Sequence, residues 1–329
     1  MEILDLRHFP ASSIQPVLEQ ESELWRKRLH WDYRASSRLL MQYLDNRMLP
    51  GYAAVEEGVV VGYVFCVYDE AKAVVGDVFA LGGVLRDAND LPLDTPQSAT
   101  AIEQRLLRHL LELLQNSPQI ERIESQLLIH PAGTHGEIFA QSDFQLYRRL
   151  FMVRSLAGLW GTPRISLPPG LELRSWRDED LTAASRLIAL AYAGHPDAVI
   201  NDQYRTVLGS QRFLNNIVRY AGCGVFSPAV SHVIVDRASH ELAAMVLGSR
   251  VSPLSGHVTQ VCVRPEFRRQ GLARQLLAVA ASAFVRQGVG EISLTVTADN
   301  VEAVELYHSE SYICTHTFDA TVWERPSRY

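Results

Sequence analysis

The segment VRPEFRRQGLARQLL, residues 263–277, places four arginines around a single glycine and then continues with an apolar pattern. It follows the strand-like run HVTQVCV, and Pro265 ends that strand because proline has no N–H to donate to a ladder. After Gly271, apolar residues recur with the three- and four-residue spacing of one helix face, at Ala273, Leu276, Leu277, Ala280, Ala281 and Phe284. The segment therefore predicts a strand, a basic turn and the N-terminus of an amphipathic helix.

The basic turn is a candidate anion site because the rest of the chain is acidic, with a net charge of −6. A helix N-terminus exposes backbone N–H groups and carries the positive end of the helix dipole. Gly271 has no Cβ, so a bulky anion can approach the main chain closely. A diphosphate is the ligand class that such a turn favours, although a solvated turn that binds nothing fits this segment equally well when it is taken alone.

In its context the turn resembles the signature of a known family. Residues 268–273 read RRQGLA, which resembles the R/Q-x-x-G-x-G/A motif of the GCN5-related N-acetyltransferases, the GNAT superfamily. The preceding VCVRPEFR resembles the strand and the V-x-P-x-x-R approach of that family. Further along, DNVEAVELYHSESY resembles its N-x-x-A-x-x-L-Y segment and aligns Asn300, Ala303, Leu306 and Tyr307. The resemblance extends over about residues 170–325.

This resemblance implies acetyl-CoA, the acetyl thioester of coenzyme A, as the donor. The backbone of the strand at Val261 and Val263 would bond the pantetheine arm, main-chain N–H groups of the turn would hold the pyrophosphate, and Asn300 would orient the cofactor. Tyr307 would face the thioester sulfur. The predicted cofactor-binding residues are Val261, Cys262, Val263, Arg268, Arg269, Gln270, Gly271, Leu272, Ala273, Arg274 and Asn300.

Acetyl transfer to an amine needs a proton acceptor for the amine and a proton donor for the departing thiolate. Tyr307 is the predicted general acid, because a phenol can donate to a thiolate as it forms. A tyrosine that only packs its helix on the sheet is the alternative. His257 is the candidate base, although a lone strand histidine is more often structural. Glu302 and Glu305 are read as solvated surface charges.

The acceptor pocket is predicted in the segment AYAGHPDAVINDQYRTVLGSQRFLNN, residues 191–216. Asp197 and Asp202 could attract a cationic amine, while Tyr192 and Tyr204 could enclose its apolar part. His195, Asp202 and Arg205 lie in the same segment. Polar loops have this composition without binding anything, so the assignment is a hypothesis.

The chain has 329 residues, of which 47% are hydrophobic, and this size predicts two globular domains. Glycine and proline cluster in residues 158–173, which indicates a linker. Both halves read as a hairpin, a strand, a helix, a strand, a short helix and a strand; the first hairpin has Glu57 and Gly58 at its turn. The predicted fold class is α/β, an α+β mixed sheet in two tandem GNAT-like modules. The predicted boundaries are 1–158, 159–170 for the linker and 171–329.

The first module lacks the phosphate signature of the second. Gly82 and Gly83 precede its loop, but no R-x-x-G-x-G/A follows, and Asp87, Asp90 and Asp94 would repel a pyrophosphate. The first module is therefore predicted to be degenerate, with a structural or pocket-completing role. Binding of a different ligand is the alternative.

Composition narrows the cellular setting. There is no signal-peptide layout, no apolar run long enough to span a bilayer and no C-x-x-C pair, which favours a cytoplasmic protein without a metal or disulfide framework. No nucleic-acid or membrane partner is expected, and a monomer and a homodimer both remain open.

The predicted function is an N-acetyltransferase acting on a primary amine of a small molecule or a protein. A non-catalytic acyl-CoA-binding or sensor protein is the first alternative. A nucleotide-phosphate module is the second, and the lack of a P-loop or G-x-G-x-x-G motif counts against it.

Overall fold

The computed structural model describes residues 1–81, 85–86, 92–93, 96–159, 161–219 and 224–326. It divides into two compact units. Unit 1 comprises Met1–Leu29, Tyr33–Arg148 and Thr317–Tyr329, and unit 2 comprises His30–Asp32 and Arg149–His316. The predicted boundaries divide the sequence once, at residues 159–170, whereas each compact unit also takes a short piece from the other half of the chain. Gly82, Gly83, Asp87, Asp90, Asp94 and Cys223 lie outside the described residues.

Unit 1 is a mixed sheet with helices. Its strands lie in the order β1 (Glu2–Asp5), β2 (Gly51–Glu56), β3 (Val59–Asp69), β4 (Lys72–Ala80), β7 (Arg122–Gln126) and the end of β15 (Ile313–Glu324). Two short strands, β5 (Leu85–Arg86) and β6 (Pro92–Leu93), pair separately. Its helices are α1 (Ala11–Leu29), α2 (Arg34–Asp45), α3 (Pro96–Asn116) and α4 (Gly136–Gln141).

Local sequence explains two of these elements. Glu57 and Gly58 both have positive φ, 50° and 81°, as a two-residue hairpin turn between β2 and β3 requires. Helix α3 buries one leucine-rich face against the sheet, with Leu106, Leu107, Leu110, Leu111 and Leu114 in the core. The predicted hairpin and the predicted long helix of the first half are both confirmed.

Unit 2 repeats this plan. Its sheet runs β8 (Gln145–Ser155, from Arg149 onward), β14 (Glu291–Thr297), β13 (Ser255–Val263), β12 (Leu242–Arg250), β11 (His232–Asp236) and β9 (Leu171–Ser175), with β10 (Val225–Phe226) also pairing β12. Its helices are α5 (Leu181–Ala191), α6 (Asp197–Ile200), α7 (Val207–Arg219), α8 (Leu272–Arg286) and α9 (Val301–Ser309). Helices α1, α2 and α5–α7 were not among the predicted elements.

Helix α8 lies close to its sheet because the strands beneath it carry glycine. The ring of Phe284 packs where a Cβ on Gly256 would stand only 2.4 Å away and one on Gly248 only 2.8 Å away. Any larger residue at these positions would push the helix outward. This contact fixes the axis of α8 and therefore the position of its N-terminus.

Each unit contains one parallel strand pair that is connected through a helix and then separates. In unit 2, β13 and β14 pair only from Ser255 to His257, although β13 continues to Val263. In unit 1, β4 and β7 pair only from Lys72 to Val75, although β4 continues to Ala80. We call the spaces beyond these pairings the unit 2 opening and the unit 1 opening. Strands that part in this way leave backbone groups available for a ligand.

Candidate active site

The unit 2 opening is lined on one side by the peptide groups of β13. The N–H of Arg264 donates to the carbonyl of Ala243 at 2.9 Å, and β12 and β13 are antiparallel in this register. Because peptide groups alternate in direction along a strand, those of Cys262 point toward β12, whereas those of Val261 and Val263 point away from it. The two valines therefore direct main-chain donors and acceptors into the opening.

The turn before α8 presents unbonded N–H groups next to the opening. Gly271 is the N-cap residue with φ of 76°, and Arg269 also has a positive φ, 63°. Within the described chain, no acceptor is recorded for the N–H groups of residues 269–274. No heavy atom lies within 4 Å of the place where a Cβ on Gly271 would stand. The helix N-terminus is therefore accessible, and glycine both permits its backbone conformation and keeps it uncovered.

Arg268 is engaged by the protein and holds the turn in place. Its Nη2 donates to the carbonyl of Ala191 at 2.6 Å, at the C-terminus of α5. Its Nε donates more weakly to the carbonyl of Val263, at 3.4 Å. A guanidinium at a helix C-terminus satisfies a carbonyl that has no partner within the helix. Arg268 therefore positions the loop between β13 and α8.

Arg269 and Arg274 pair with residues of α9 and its C-terminus. Arg269 and Glu302 lie 3.2 Å apart with more than three quarters of each side chain exposed. Arg274 donates to the Ser309 hydroxyl at 2.8 Å and lies 3.1 Å from Glu310. The exposed Arg269–Glu302 pair contributes little to stability. The part of the turn that remains available to an anion is therefore its backbone.

Tyr307 is buried on α9, with 7% of its surface exposed. Burial raises the pKa of its phenol, and the nearby Asp197 raises it further, so the group is protonated at neutral pH. Asn300 begins the same helix, where its Oδ1 accepts from the Ala303 N–H at 3.3 Å. The cap therefore fixes the helix that carries the phenol.

Asp197 belongs to a polar network and is not a free anion. Its Oδ1 accepts a hydrogen bond from the Thr297 hydroxyl and lies 3.4 Å from Nη1 of Arg149. Its backbone N–H donates to Nδ1 of His195 at 3.1 Å, and Nε2 of His195 lies 3.3 Å from Nδ2 of Asn300. The network connects α6, the end of β14 and the start of α9. Its charge is already paired with that of Arg149.

Tyr192 and Tyr204 lie together, with ring centroids 4.6 Å apart. Gln260 connects them, because its Nε2 donates to the Tyr192 hydroxyl at 2.9 Å and its Oε1 accepts from the Tyr204 hydroxyl at 3.3 Å. Burial raises the pKa of both phenols, which keeps them neutral. The sequence analysis did not single out Gln260, although a polar residue inside the apolar strand HVTQVCV was a visible signal.

His257 lies in the part of β13 that is still paired, inside the core. Its Nδ1 is 2.9 Å from the Ser293 hydroxyl, and the ring packs against Trp31 and Phe151. Burial lowers its pKa to about 3. This position argues against His257 as a base for an incoming amine, because the ring is enclosed by protein and holds a proton only weakly.

Within the described residues, no helix combines the length and apolarity that a membrane span requires. Cys66 and Cys262 are buried free thiols and Cys314 is an exposed one. Burial raises the pKa of Cys66 to about 11 and that of Cys262 to about 12, so neither buried thiol is activated.

The geometry of strand, turn and helix has a counterpart among known proteins. Residues 203–310 match the model of the acetyltransferase (GNAT) family. This part of the chain is a GNAT domain. The predicted family resemblance is confirmed.

A curated relative extends the similarity. The mycothiol acetyltransferase of Kocuria rhizophila is 32% identical over 170 residues, which cover 49% of this chain and 52% of that protein. The chain spans about half the length of the curated relatives it matches.

Solved structures show the same fold over the whole chain. A GCN5-related N-acetyltransferase from Sphaerobacter thermophilus has a TM-score of 0.65 at 16% identity, with coverage of 99% of this chain and 97% of that one. A tandem GNAT protein from the clavulanic acid biosynthesis pathway has a TM-score of 0.58 at 16% identity, with coverage of 100% and 99%. The predicted mixed α/β fold of tandem GNAT-like modules is confirmed.

Proposed function

We propose that unit 2 is an N-acetyltransferase that moves the acetyl group of acetyl-CoA to a primary amine. The observation that carries the proposal is the combination in unit 2 of an opening lined by strand backbone with an uncovered row of N–H groups at Gly271. An extended amide-containing chain can pair with the first, and a pyrophosphate can bind the second. A basic turn that only contacts solvent would need neither the opening nor the uncovered N–H groups.

The residues present fit acetyl-CoA. The N–H groups of residues 269–274 would bind the pyrophosphate, and the peptide groups of Val261 and Val263 would pair with the pantetheine amides. Leu272 is buried and anchors the helix, whereas Gln270 is exposed and donates from Nε2 to the Glu266 carbonyl at 3.3 Å, and Ala273 is partly buried. Acetyl-CoA supplies an activated thioester, and the chain positions it.

The reaction forms a C–N bond and breaks a C–S bond. The amine must first be neutral, and an amine of pKa about 10.4 is neutral only about once in 2,500 molecules at pH 7. As the amine attacks, the carbonyl oxygen gains charge, and the Val261 N–H is the strand donor assigned to it. The nitrogen would lose a proton to water as the C–N bond forms, while Tyr307 would give its proton to the departing thiolate and be reprotonated from solvent. Burial raises the pKa of the phenol, so the group is protonated and available as a donor at neutral pH.

The acceptor is proposed to be a small-molecule amine that reaches the Tyr192–Tyr204 pair. Since Asp197 is already paired with Arg149, recognition of the acceptor would depend on the aromatic faces and on the amide of Gln260. The curated relatives are named mycothiol acetyltransferases, so the amine substrate of those enzymes is the first acceptor to test. A protein amine is the second.

Two glycines that flank α8 provide a test of the cofactor site. Gly271→Asn should retain the fold, because asparagine tolerates positive φ, but its side chain would cover the N–H groups and lower acetyl-CoA affinity at least tenfold. Gly288 at the other end of the helix has φ of 75° and equally open surroundings, so Gly288→Asn is the matched control. Calorimetric titration with acetyl-CoA measures the affinity of each variant. Equal affinity of the two variants would contradict the proposed cofactor site.

Turnover separates an enzyme from an acyl-CoA sensor. Release of free thiol from acetyl-CoA should depend on an added amine, and a screen of small amines and peptide N-termini would find it. Tight binding of acetyl-CoA with no amine-dependent thiol release from any acceptor would favour the sensor. Stronger thermal stabilisation by ATP than by acetyl-CoA would favour the nucleotide module.

A further inference from the structure

In unit 1 three metal-ligating side chains converge in the interior, outside the proposed active site. Glu103 comes from α3, and His130 and His135 come from the loop between β7 and α4. Each has less than a tenth of its surface exposed. One ligand atom from each residue lies within 4.8 Å of the other two. Two imidazoles and one carboxylate form a donor set that binds zinc and related divalent metals.

The distances between these atoms match those around a tetrahedral ion. His135 Nε2 is 3.2 Å from His130 Nδ1 and 3.4 Å from Glu103 Oε2, and His130 Nδ1 is 3.8 Å from the same oxygen. Ligands placed about 2.0–2.1 Å from a tetrahedral Zn²⁺ lie about 3.3 Å from each other. An ion therefore fits between the three atoms with small side-chain adjustments.

The other atoms of two ligands are held by backbone. His130 Nε2 is 2.8 Å from the Val78 carbonyl, so it carries the proton and leaves the Nδ1 lone pair directed at the site. Glu103 Oε1 accepts from the Ala80 N–H at 3.1 Å, which leaves Oε2 directed at the site. Metal-binding histidines and carboxylates are usually oriented by such outer hydrogen bonds.

With Glu103 ionised and no cation bound, the cluster has one proton for three inward lone pairs. His130 Nδ1 and Glu103 Oε2 are both acceptors, and only the Nε2–H of His135 lies between them. The opposite nitrogen of that ring, Nδ1, is buried and has no hydrogen-bond partner within the described residues. Buried lone pairs without donors are costly. If the proton of His135 moves from Nε2 to Nδ1, a cation can be bound by the lone pairs of His130 Nδ1, His135 Nε2 and Glu103 Oε2.

A further buried carboxyl group lies beside the cluster. Asp77 lies 3.6 Å from His130 on the Nε2 side and is itself buried. No lysine or arginine is recorded against Asp77 or Glu103 in the part of the chain that the structure describes. A divalent ion would supply the missing positive charge.

We propose that Glu103, His130 and His135 bind one divalent transition-metal ion of the zinc class, and that this ion holds α3 and the β7–α4 loop together. The site is structural, since the three residues are enclosed by the core of unit 1. It is independent of the acetyl transfer proposed for unit 2.

The test begins with the untagged full-length protein. After treatment with a chelator, it is dialysed against ZnCl₂, desalted and analysed for metal by mass spectrometry. One equivalent of zinc per chain is expected. Replacement by Co²⁺ should give the visible absorption of a four-coordinate site. Retention of no zinc, together with no thermal shift on addition of ZnCl₂, would overturn the proposal and leave a hydrogen-bonded cluster.

Two isosteric variants locate the ion. Glu103→Gln should lose the bound equivalent, because an amide is a much weaker zinc ligand. Asp77→Asn is an isosteric change in a buried neighbour that lies on the Nε2 side of His130 and offers no ligand atom to the site, so it should retain the equivalent. Far-ultraviolet circular dichroism checks that both fold. Equal metal content in Glu103→Gln and the unaltered protein would show adventitious surface binding and would also overturn the proposal.

Discussion

The openings of the two units have the same backbone plan and different contents. In unit 1 the N–H of Leu81 donates to the carbonyl of Val61, just as Arg264 donates to Ala243 in unit 2. By the alternation of peptide groups, Val78 and Ala80 then direct theirs into the unit 1 opening. The Val78 carbonyl is taken by His130 and the Ala80 N–H by Glu103. Within the part of the chain that the structure describes, no strand pairs with the equivalent groups of Val261 and Val263 in unit 2.

The helix beside each opening shows a second difference. The N–H of Tyr312 donates to the carbonyl of Tyr307, and the N–H of Phe144 donates to that of Phe139, both at 3.0 Å. The ring pairs are also alike, with centroids 5.8 Å apart in unit 2 and 5.2 Å in unit 1. Phe139 therefore occupies the position of Tyr307 and lacks its hydroxyl.

The comparison teaches that the backbone alone does not make the proposed site. Both units separate their parallel strands, yet unit 1 satisfies its inward peptide groups with side chains and has no phenol at the equivalent position. In unit 2 the Val263 carbonyl accepts only a weak bond from Arg268, and within the described residues no side chain bonds to the peptide groups of Val261 or to the helix N-terminus. The proposed activity requires both the accessible backbone of the unit 2 opening and the phenol of Tyr307.

The largest expected effect comes from making unit 2 resemble unit 1 at the phenol. Tyr307→Phe should lower kcat for acetyl transfer by ~100-fold or more, because loss of a general acid typically costs this much, while the Kd for acetyl-CoA stays within about twofold. Steady-state thiol release and calorimetric titration measure the two quantities.

Tyr312→Phe is the matched control for this substitution. The Tyr312 hydroxyl is buried without a hydrogen-bond partner among the described residues, so its loss should leave kcat and the free energy of unfolding nearly unchanged. An unaltered kcat in Tyr307→Phe would contradict the proposed role of Tyr307 as the general acid.

An intermediate effect is expected at the base of the unit 2 opening. The third paired residue is His257 in unit 2 and Val74 in unit 1. His257 has a pKa of about 3 in the folded protein and about 6.5 when unfolded. Between these values only the unfolded state binds the proton, so stability falls as the pH falls, by about 1.4 kcal/mol per pH unit. His257→Val should remove this contribution, roughly 2 kcal/mol between pH 6 and 4.5.

Urea unfolding of both proteins at a series of pH values measures the difference in slope. Ser293→Ala is the control, since it removes the hydroxyl partner of His257 but keeps the imidazole buried. It should therefore retain the acid-dependent slope, because burial is the cause of the lowered pKa. If the free energy of unfolding of His257→Val and of the unaltered protein depended equally on pH, the acid sensitivity could not be assigned to His257.

The smallest effect is expected from charge at the rim of the turn. Glu302→Gln breaks the exposed pair with Arg269, so the free energy of unfolding should change by less than ~0.5 kcal/mol. The acetyl-CoA Kd should fall by up to ~threefold at low salt and by less at high salt, since the freed guanidinium can face the pyrophosphate. Glu305→Gln, one turn further along α9, is the control for charge alone. An equal change in the acetyl-CoA Kd of both variants would show that net charge, and not the Arg269 pair, causes the effect.

Sequence reasoning reached most of the fold because local signals are strong where periodicity is clear. The Glu57–Gly58 turn, the leucine-rich face of α3 and the strand before Pro265 were readable from residue type and spacing alone. It assigned no elements to the first fifty residues, where α1 and α2 occur.

The individual site residues were harder to judge. Asp197 looked like a free anion in a polar loop, but Arg149, which pairs with it, is far away in the sequence. His257 looked like a titrating base, but its environment is made by Trp31 and Phe151. Neither partner is local, so neither could be inferred from spacing.

The sequence by itself determined the basic glycine turn, its helix and the tyrosine segment, because each depends on neighbours within a few residues of the chain. Only the tertiary structure decided which opening is filled. The side chains that fill the unit 1 opening come from α3 and from the loop after β7, and both reach β4 only when the sheet has formed. Contacts between distant segments depend on packing, and packing has no signature in the spacing of either segment.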